Sequence, residues 1–516
     1  MSTILLVAAS LAVQPAITEM TPASIGASQA LPLDAEAVGE IERFIEHGLE
    51  RLAIPGASYA LISGDQIIAQ GGLGVRNALG DPMQADTLLM AASITKGMTT
   101  LLMAKAVELG LADWDDRVVD HYPSFALADA ALAERLELRH LLCACTGLPW
   151  NDFFWSYNGK AHADEALVFE HLSTMSPVAS LGEEYHYSNH LGAAAGYVTG
   201  KIFYPGLPIG EAYDLAMQTH IFGPIGMTRT TLDPVTAIGG TNVAEPFGHD
   251  SSGSFARVSQ DENHGHPHSM ALVRPTGGSW SSASDLARYV RNEILKGRAP
   301  DGTRLFAETP LLERRQPGIY TGQHDGHYGM GLRVENREGV DVIRHWGAAR
   351  GYRSGIFFLP DADIGAVIMT NSEAGYALVD AFIVKVLELL YARSPRAMTM
   401  IEDAEQDLAA ATHEQAALLQ TVSTAPKLTP GRYSNEYLGD VDLILSGNRY
   451  RLDTGDWHLD VIASKNADGS IHLAGTSPGY RTYSYTYRLD DGGKAEIALD
   501  SGHTIFHFTR QGSVTQ

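Results

Sequence analysis

Ser93-Ile94-Thr95-Lys96 opens a long apolar-periodic segment that runs to Leu109, and no other feature constrains the fold as much. The middle of the segment is rich in Met, Leu and Ala, so the helix it predicts is buried between layers. Gly110 is the expected C-cap. Ser93 and Lys96, three residues apart, lie on one face of that helix. The lysine amine is then within hydrogen-bond reach of the serine hydroxyl. A serine hydroxyl is a poor nucleophile at neutral pH, and a nearby base must take its proton. The start of a helix adds unpaired N–H groups that favour a developing oxyanion. Ser-x-x-Lys alone is frequent by chance, so its context decides.

That context is Tyr187-Ser188-Asn189 and, much later, His345-Trp346-Gly347. Ser-x-x-Lys, then Tyr-x-Asn, then a basic-x-Gly triplet on a strand resembles the ordered signature of the serine β-lactamase and penicillin-binding protein superfamily. The flanking words are similar too. They are Ile54-Pro55-Gly56-Ala57, Arg139-His140-Leu141-Leu142 with Thr146-Gly147-Leu148-Pro149, and Pro224-Ile225-Gly226-Met227 with Thr230. Gly277-Gly278 before Ser284-Asp285-Leu286-Ala287, and Tyr328-Gly329-Met330-Gly331, complete the set. The resemblance covers roughly residues 35–392. It points to the class C β-lactamase-like branch, with its D-aminopeptidases, carboxypeptidases and esterases.

The resemblance implies a set of roles. Ser93 is the acylated nucleophile and Lys96 its base, which burial must hold partly neutral. Tyr187 relays a proton to the leaving group. Asn189 holds the substrate's acyl-side amide. The backbone N–H groups of Ser93 and Ala348, beside Gly347, form the oxyanion hole. His345 departs from the pattern, since many members carry Lys there. A histidine near half-charged at neutrality weakens carboxylate recognition and β-lactam turnover. It is expected to face the substrate. Trp346 is expected to narrow the cleft, and Arg350 or Arg353 to replace the lost cation. The expected activity is that of a serine peptidase or amidase on small or linear peptides. A carboxylesterase is the alternative. A β-lactamase or a non-catalytic scaffold stands lower. No cofactor and no metal are called for.

The rest of the chain sets the frame. The expected fold is α/β: an antiparallel sheet flanked by helices, an all-helical lobe, then a small C-terminal all-β barrel. Helical periodicity over 34–52 ends at Pro55-Gly56. Ala57–Ile62 and Gln66–Leu73 read as a strand pair. Asp341–Arg344, Gly355–Leu359 and Ile364–Thr370 read as adjacent strands, closed by a helix over Ala377–Ala392. After Ser394-Pro395 the character changes. Residues 400–421 suggest a connecting helix, and seven short strand-like stretches follow between Val441 and Phe508. That spacing predicts a barrel, similar to the lipocalin-like barrel of some peptidases of the same family and filled by side chains. The barrel is expected to gate the cleft or to make oligomer contacts. The implied division is 1–30 leader, 31–395 catalytic domain, 396–427 helical linker and 428–516 barrel.

A net charge of −24 argues against nucleic acid and anionic membranes as partners. A small peptide or ester substrate is expected, and a homo-oligomer is left open. The apolar run Ile4–Val13 is too short to span a bilayer. It is read as a signal peptide, although no Lys or Arg precedes Arg43. The expected location is therefore periplasmic or secreted, with cytoplasmic as the alternative. Cys143 and Cys145, one residue apart, are read as small buried residues and not as a disulfide. His264, His266 and His268 are read as an exposed loop, since zinc needs converging ligands.

Overall fold

The computed structural model describes residues 30–158, 163–249, 255–258, 270–322, 325–420, 426–446, 449–455, 457–466, 468–478, 484–489, 493–500 and 504–512. The three histidines of the 264–268 segment and the apolar leader lie outside the described residues.

Helix α1 (Ala35–Arg51) starts where the Asp34 carboxylate accepts from the N–H groups of Glu36 and Ala37. Its apolar stripe of Ile41, Phe44, Ile45 and Leu49 is buried. Strands β1 (Gly56–Ser63) and β2 (Gln66–Gly74) follow as a hairpin. Six further strands complete the sheet: β3 (Ile319–Tyr320), β4 (His327–Tyr328), β5 (Arg333–Arg337), β6 (Val340–Ala349), β7 (Tyr352–Leu359) and β8 (Ile364–Thr370). The order is β2-β1-β8-β7-β6-β5-β4-β3, antiparallel throughout.

Both faces of this sheet are covered, and β1 shows it residue by residue. Ala57, Tyr59 and Leu61 join one core with α1, and Ala60 and Ile62 join the other, as a strand's two-residue period requires. The first core also takes helix α5 (Gly375–Tyr391) and the opening turn of helix α6 (Ala397–Gln420), through Ala397 and Ile401. The second core holds helix α2 (Thr95–Glu108), helix α4 (Asn189–Phe203) and the short helices of the all-helical lobe. Eleven residues of α2 are buried, from Thr95 to Ala106, so no side of it is a solvent face. Between α2 and α4 in the chain lies helix α3 (Phe153–Asn158). No described helix is long and apolar enough to cross a membrane.

The C-terminal strands close into an eight-stranded up-and-down barrel. They are β9 (Gly431–Asn435), β10 (Gly439–Ser446), β11 (Arg449–Asp453), β12 (His458–Lys465), β13 (Ile471–Gly475), β14 (Ser484–Leu489), β15 (Ala495–Asp500) and β16 (Ile505–Gly512). β16 pairs back with β9, which leaves no free sheet edge. Tyr433, Leu443, Leu452, Leu459, Leu473, Tyr485, Ile497 and Phe508 fill the core. Each such buried side chain contributes about 1.5–3 kcal/mol relative to exposure.

Three differences from the sequence reading have physical causes. β9 was not expected, because only Gly431 and Tyr433 of its five residues are buried and its apolar signal is thin. β6 runs past the expected end at Arg344 to Ala349, because β7 pairs with it over residues 343–349, and so carries the His-Trp-Gly triplet on a strand, as the resemblance implied. Cys143 and Cys145 are disulfide-bonded, not free as expected. Ala144 between them takes a left-handed conformation, φ +54°, which folds the three-residue segment back on itself.

Candidate active site

Ser93 does not sit in the α-helix itself but in a 3₁₀ turn, Ala92–Ile94, just before α2. Ala92 has φ +49°, a conformation that costs an ordinary residue of order 1 kcal/mol and persists only where its surroundings hold it. Those surroundings are visible. The Ala91 N–H donates to Ser279 O at 2.9 Å. The Ser354 hydroxyl donates to Ala91 O at 2.8 Å. Strand β6 presses on the same carbonyl at Gly347, where an added Cβ would lie 2.1 Å from Ala91 O. Only glycine permits that approach. The neighbouring residue, Ala348, is exposed and pairs with Arg353 of β7.

Lys96 is 1% exposed. Its Nζ lies 3.3 Å from Ser93 Oγ, 2.5 Å from Asn189 Oδ1 and 2.9 Å from Thr276 O. It sits over the Tyr187 ring, 4.6 Å from the centroid. α4 comes this close because residue 192 is glycine. A Cβ there would be 2.6 Å from the Thr276 methyl and 3.6 Å from Lys96 Cε. Burial pushes the Lys96 amine down from its usual range to about 7, and the Asp152 carboxylate opposes the shift. A neutral amine has two N–H donors and one lone pair. In the neutral form the two carbonyl oxygens take the donors and the lone pair is left for Ser93 Oγ; in the protonated form the third N–H donates to Ser93 Oγ.

Tyr187 hydrogen-bonds Ser93, and desolvation by burial holds its phenol protonated. It also hydrogen-bonds Tyr328, whose ring meets its own edge-on at 5.9 Å. The Tyr328 hydroxyl lies 3.0 Å from His345 Nε2, and His345 Nδ1 lies 2.7 Å from Trp346 O. A carbonyl can only accept, so Nδ1 carries the proton and Nε2 accepts from Tyr328. A chain of hydroxyls therefore leads from Ser93 through two tyrosines to a neutral imidazole.

This corrects the expectation for His345. It is 4% exposed, and burial, helped by Lys96, pushes its pKa down to about 3. It is neutral and not half-charged, and its ring nitrogens hydrogen-bond the Tyr328 hydroxyl and the Trp346 carbonyl. Trp346 is corrected as well. Strand alternation turns it away as His345 turns in. It lies between the guanidiniums of Arg333 and Arg344, 4.2 Å and 4.8 Å from the ring centroid. It lines a pocket with Tyr376 and Asp380 of α5. Arg353 bends back to the Ala349 and Tyr352 carbonyls. Arg350 occupies the turn between β6 and β7.

Sequence reasoning missed two residues. Tyr328 stood inside a recognised word but was given no role. Asp152 carried no motif. Its carboxylate accepts from Asn189 Nδ2 at 2.9 and 3.0 Å, and burial pushes its pKa up. The only signal was an acid directly before Phe153-Phe154-Trp155, a run too apolar to lie in solvent.

A small pocket opens onto this cluster, lined by Lys96, Leu142, Ala144, Tyr187, Leu191 and Tyr328 among others. The arrangement can present an activated hydroxyl to a carbonyl carbon, with a second hydroxyl placed to pass on a proton.

Comparison with known proteins places the family and the fold. The Beta-lactamase family model matches residues 41–387. Penicillin-binding protein 4 of Amycolatopsis lactamdurans is 25% identical over 326 residues, covering 62% of this chain and 81% of that protein. Protein flp of Staphylococcus aureus is 22% identical over 345 residues, covering 65% of this chain and 64% of its own length, so this chain spans just under two thirds of it. Among solved structures, the octameric penicillin-binding protein homologue from Pyrococcus abyssi superposes with a TM-score of 0.59 at 20% identity, covering 92% of this chain and all of that one.

Proposed function

The chain belongs to the β-lactamase family, and from that premise we propose that it is a serine hydrolase cleaving amide bonds of small or linear peptides through an acyl-enzyme at Ser93. The observation that carries this reading is the Lys96 amine. It is buried, its pKa is lowered toward neutrality, and it lies 3.3 Å from Ser93 Oγ.

The steps follow from the contacts. Lys96 takes the Ser93 proton as Oγ adds to the carbonyl carbon. The carbonyl electrons move to oxygen, which the backbone N–H groups of Ser93 and Ala348 receive. Tyr187 gives its proton to the departing amine and regains one from the lysine. Water then attacks the ester by the reverse route and frees the acid. A neutral His345 offers no fixed cation for a substrate carboxylate. That disfavours β-lactams and favours substrates recognised by shape and amide contacts.

A carboxylesterase using the same residues is the second reading. Esters need less help for their leaving group, so Tyr187→Phe separates the two. Loss of amide turnover alone supports the peptidase. Intact mass of wild type and Ser93→Ala, incubated with D- and L-amino-acid p-nitroanilides, short peptides, p-nitrophenyl esters and a penicillin, tests the whole. An adduct lost in Ser93→Ala supports the acyl-enzyme. No adduct and no turnover with any of them overturns it. The disulfide and the apolar Ile4–Val13 run favour an oxidising compartment outside the cytoplasm. The octameric homologue makes a homo-oligomer the assembly to look for by size-exclusion chromatography.

A further inference from the structure

Helix α3 belongs to two cores at once. Phe154 and Trp155 are buried in the catalytic domain, where Phe154 stacks on His171 at 3.9 Å and Trp155 meets His190 at 4.9 Å. Phe153 and Tyr157 are buried in the core of the barrel. Tyr157 meets Trp457 and Phe508 at 5.2 and 5.6 Å, and its hydroxyl is 2.7 Å from that of Tyr485. The Trp457 indole N–H donates to Ser156 O, and the Asn158 amide donates to Tyr437 O. The barrel thus reaches both main chain and side chains of α3.

Asp152 is the residue before this helix, and the Ser156 hydroxyl donates back to its carbonyl at 3.2 Å. Its carboxylate fixes which end of the Asn189 amide faces Lys96. Both carboxylate oxygens lie against Asn189 Nδ2, at 2.9 and 3.0 Å, so the NH₂ faces Asp152 and Oδ1 is left for the lysine. With Oδ1 and Thr276 O holding the two N–H groups of a neutral amine, the lone pair is aimed at Ser93. If the amide turned, its NH₂ would face the lysine and compete for that lone pair.

We propose that the C-terminal barrel is a working part of the active site: by gripping α3 it holds Asp152, a positioning residue that orients Asn189 and thereby aims the Lys96 amine at Ser93. This rests on the acyl-enzyme reading above and adds to it a residue and a domain. Misplacement by about 1 Å at a reacting group can cost on the order of 100-fold, so a loosened α3 is enough.

The test compares the full-length wild type with Asp152→Ala, Tyr157→Ala and the double variant. The readouts are the rate constant for Ser93 labelling by a fluorophosphonate and the titration of ¹³C-labelled Lys96 by NMR. Each single substitution is expected to slow labelling by about 10- to 100-fold with little change in the concentration for half-maximal rate. In the Asp152→Ala background, Tyr157→Ala should cost little more, because both act through one path. Additive losses, or labelling and lysine titration unchanged in Tyr157→Ala, overturn the proposal. If Tyr157→Ala does not fold, the conservative barrel-side pair Tyr485→Phe and Trp457→Phe carries the same cycle. The lysine titration needs no substrate. It therefore separates failure of this coupling from failure of the acyl-enzyme reading, which would appear as wild type left unlabelled.

Discussion

The catalytic domain and the barrel bury different things. Among the described residues, every buried polar or charged side chain lies at or before Glu388, and the barrel buries only aliphatic and aromatic ones. The catalytic domain encloses Lys96 and a Glu293 carboxylate shared by Arg314 and Arg315. Arg314 also donates to Gly97 O at the head of α2. Buried charge is costly and directional, whereas apolar packing is cheap and forgiving. One region is built for placement of chemical groups and the other for firmness, and α3 joins them.

The hardest way to break that contrast is at the nucleophile. Ser93→Ala should abolish labelling, a loss of at least about 10⁴-fold, while leaving the urea unfolding midpoint near wild type. Glu293→Gln should remove about 3–5 kcal/mol, because two guanidiniums lose their carboxylate. Chemical denaturation measures it, and residual labelling should fall too, as α2 loses its anchor. Leu443→Ala in the barrel should cost about 2–5 kcal/mol yet leave the labelling rate of folded protein unchanged. A change in that rate would mean that barrel packing and site geometry are coupled beyond α3.

A pH profile sharpens the contrast further. Protonated Lys96 cannot accept the serine proton. Labelling should therefore fall about tenfold per unit below pH 7. Asp152, Tyr187, Tyr328 and His345 surround the lysine. His345, pushed down to about 3, adds no limb between pH 5 and 8, whereas burial pushes Asp152 up to about 7, so it titrates together with the lysine; Asp152→Asn should leave one limb, at lower pH, by removing a charge that raises the lysine. The smallest effect belongs to the disulfide. Its loop is so short that Cys143→Ala with Cys145→Ala should cost under about 2 kcal/mol, read as a urea midpoint.

What could be read in the sequence followed physical periodicity and fixed spacing. α1, α2, the β1–β2 hairpin and seven of the eight barrel strands carried their own pattern. Ser93, Lys96, Tyr187 and Asn189 were legible because one helix start and one helix entry hold them in set order. Asp152 was not, because it meets Asn189 only after α3 docks on two surfaces that lie far apart in the chain. His345 was legible as a position but not as a charge state, which depends on Tyr328 and on burial. The cysteines misled because the left-handed Ala144 brings together sulfurs that an extended segment would hold apart.

α3 also sets an order of events in synthesis. Translation passes Asn158 roughly 270 residues before it reaches Leu428, on the order of tens of seconds at usual rates. Through that interval Phe153 and Tyr157 have no barrel to enter. On the coupling proposed above, a nascent or truncated chain would carry its serine and lysine early and gain an aimed base only once the barrel has closed around α3.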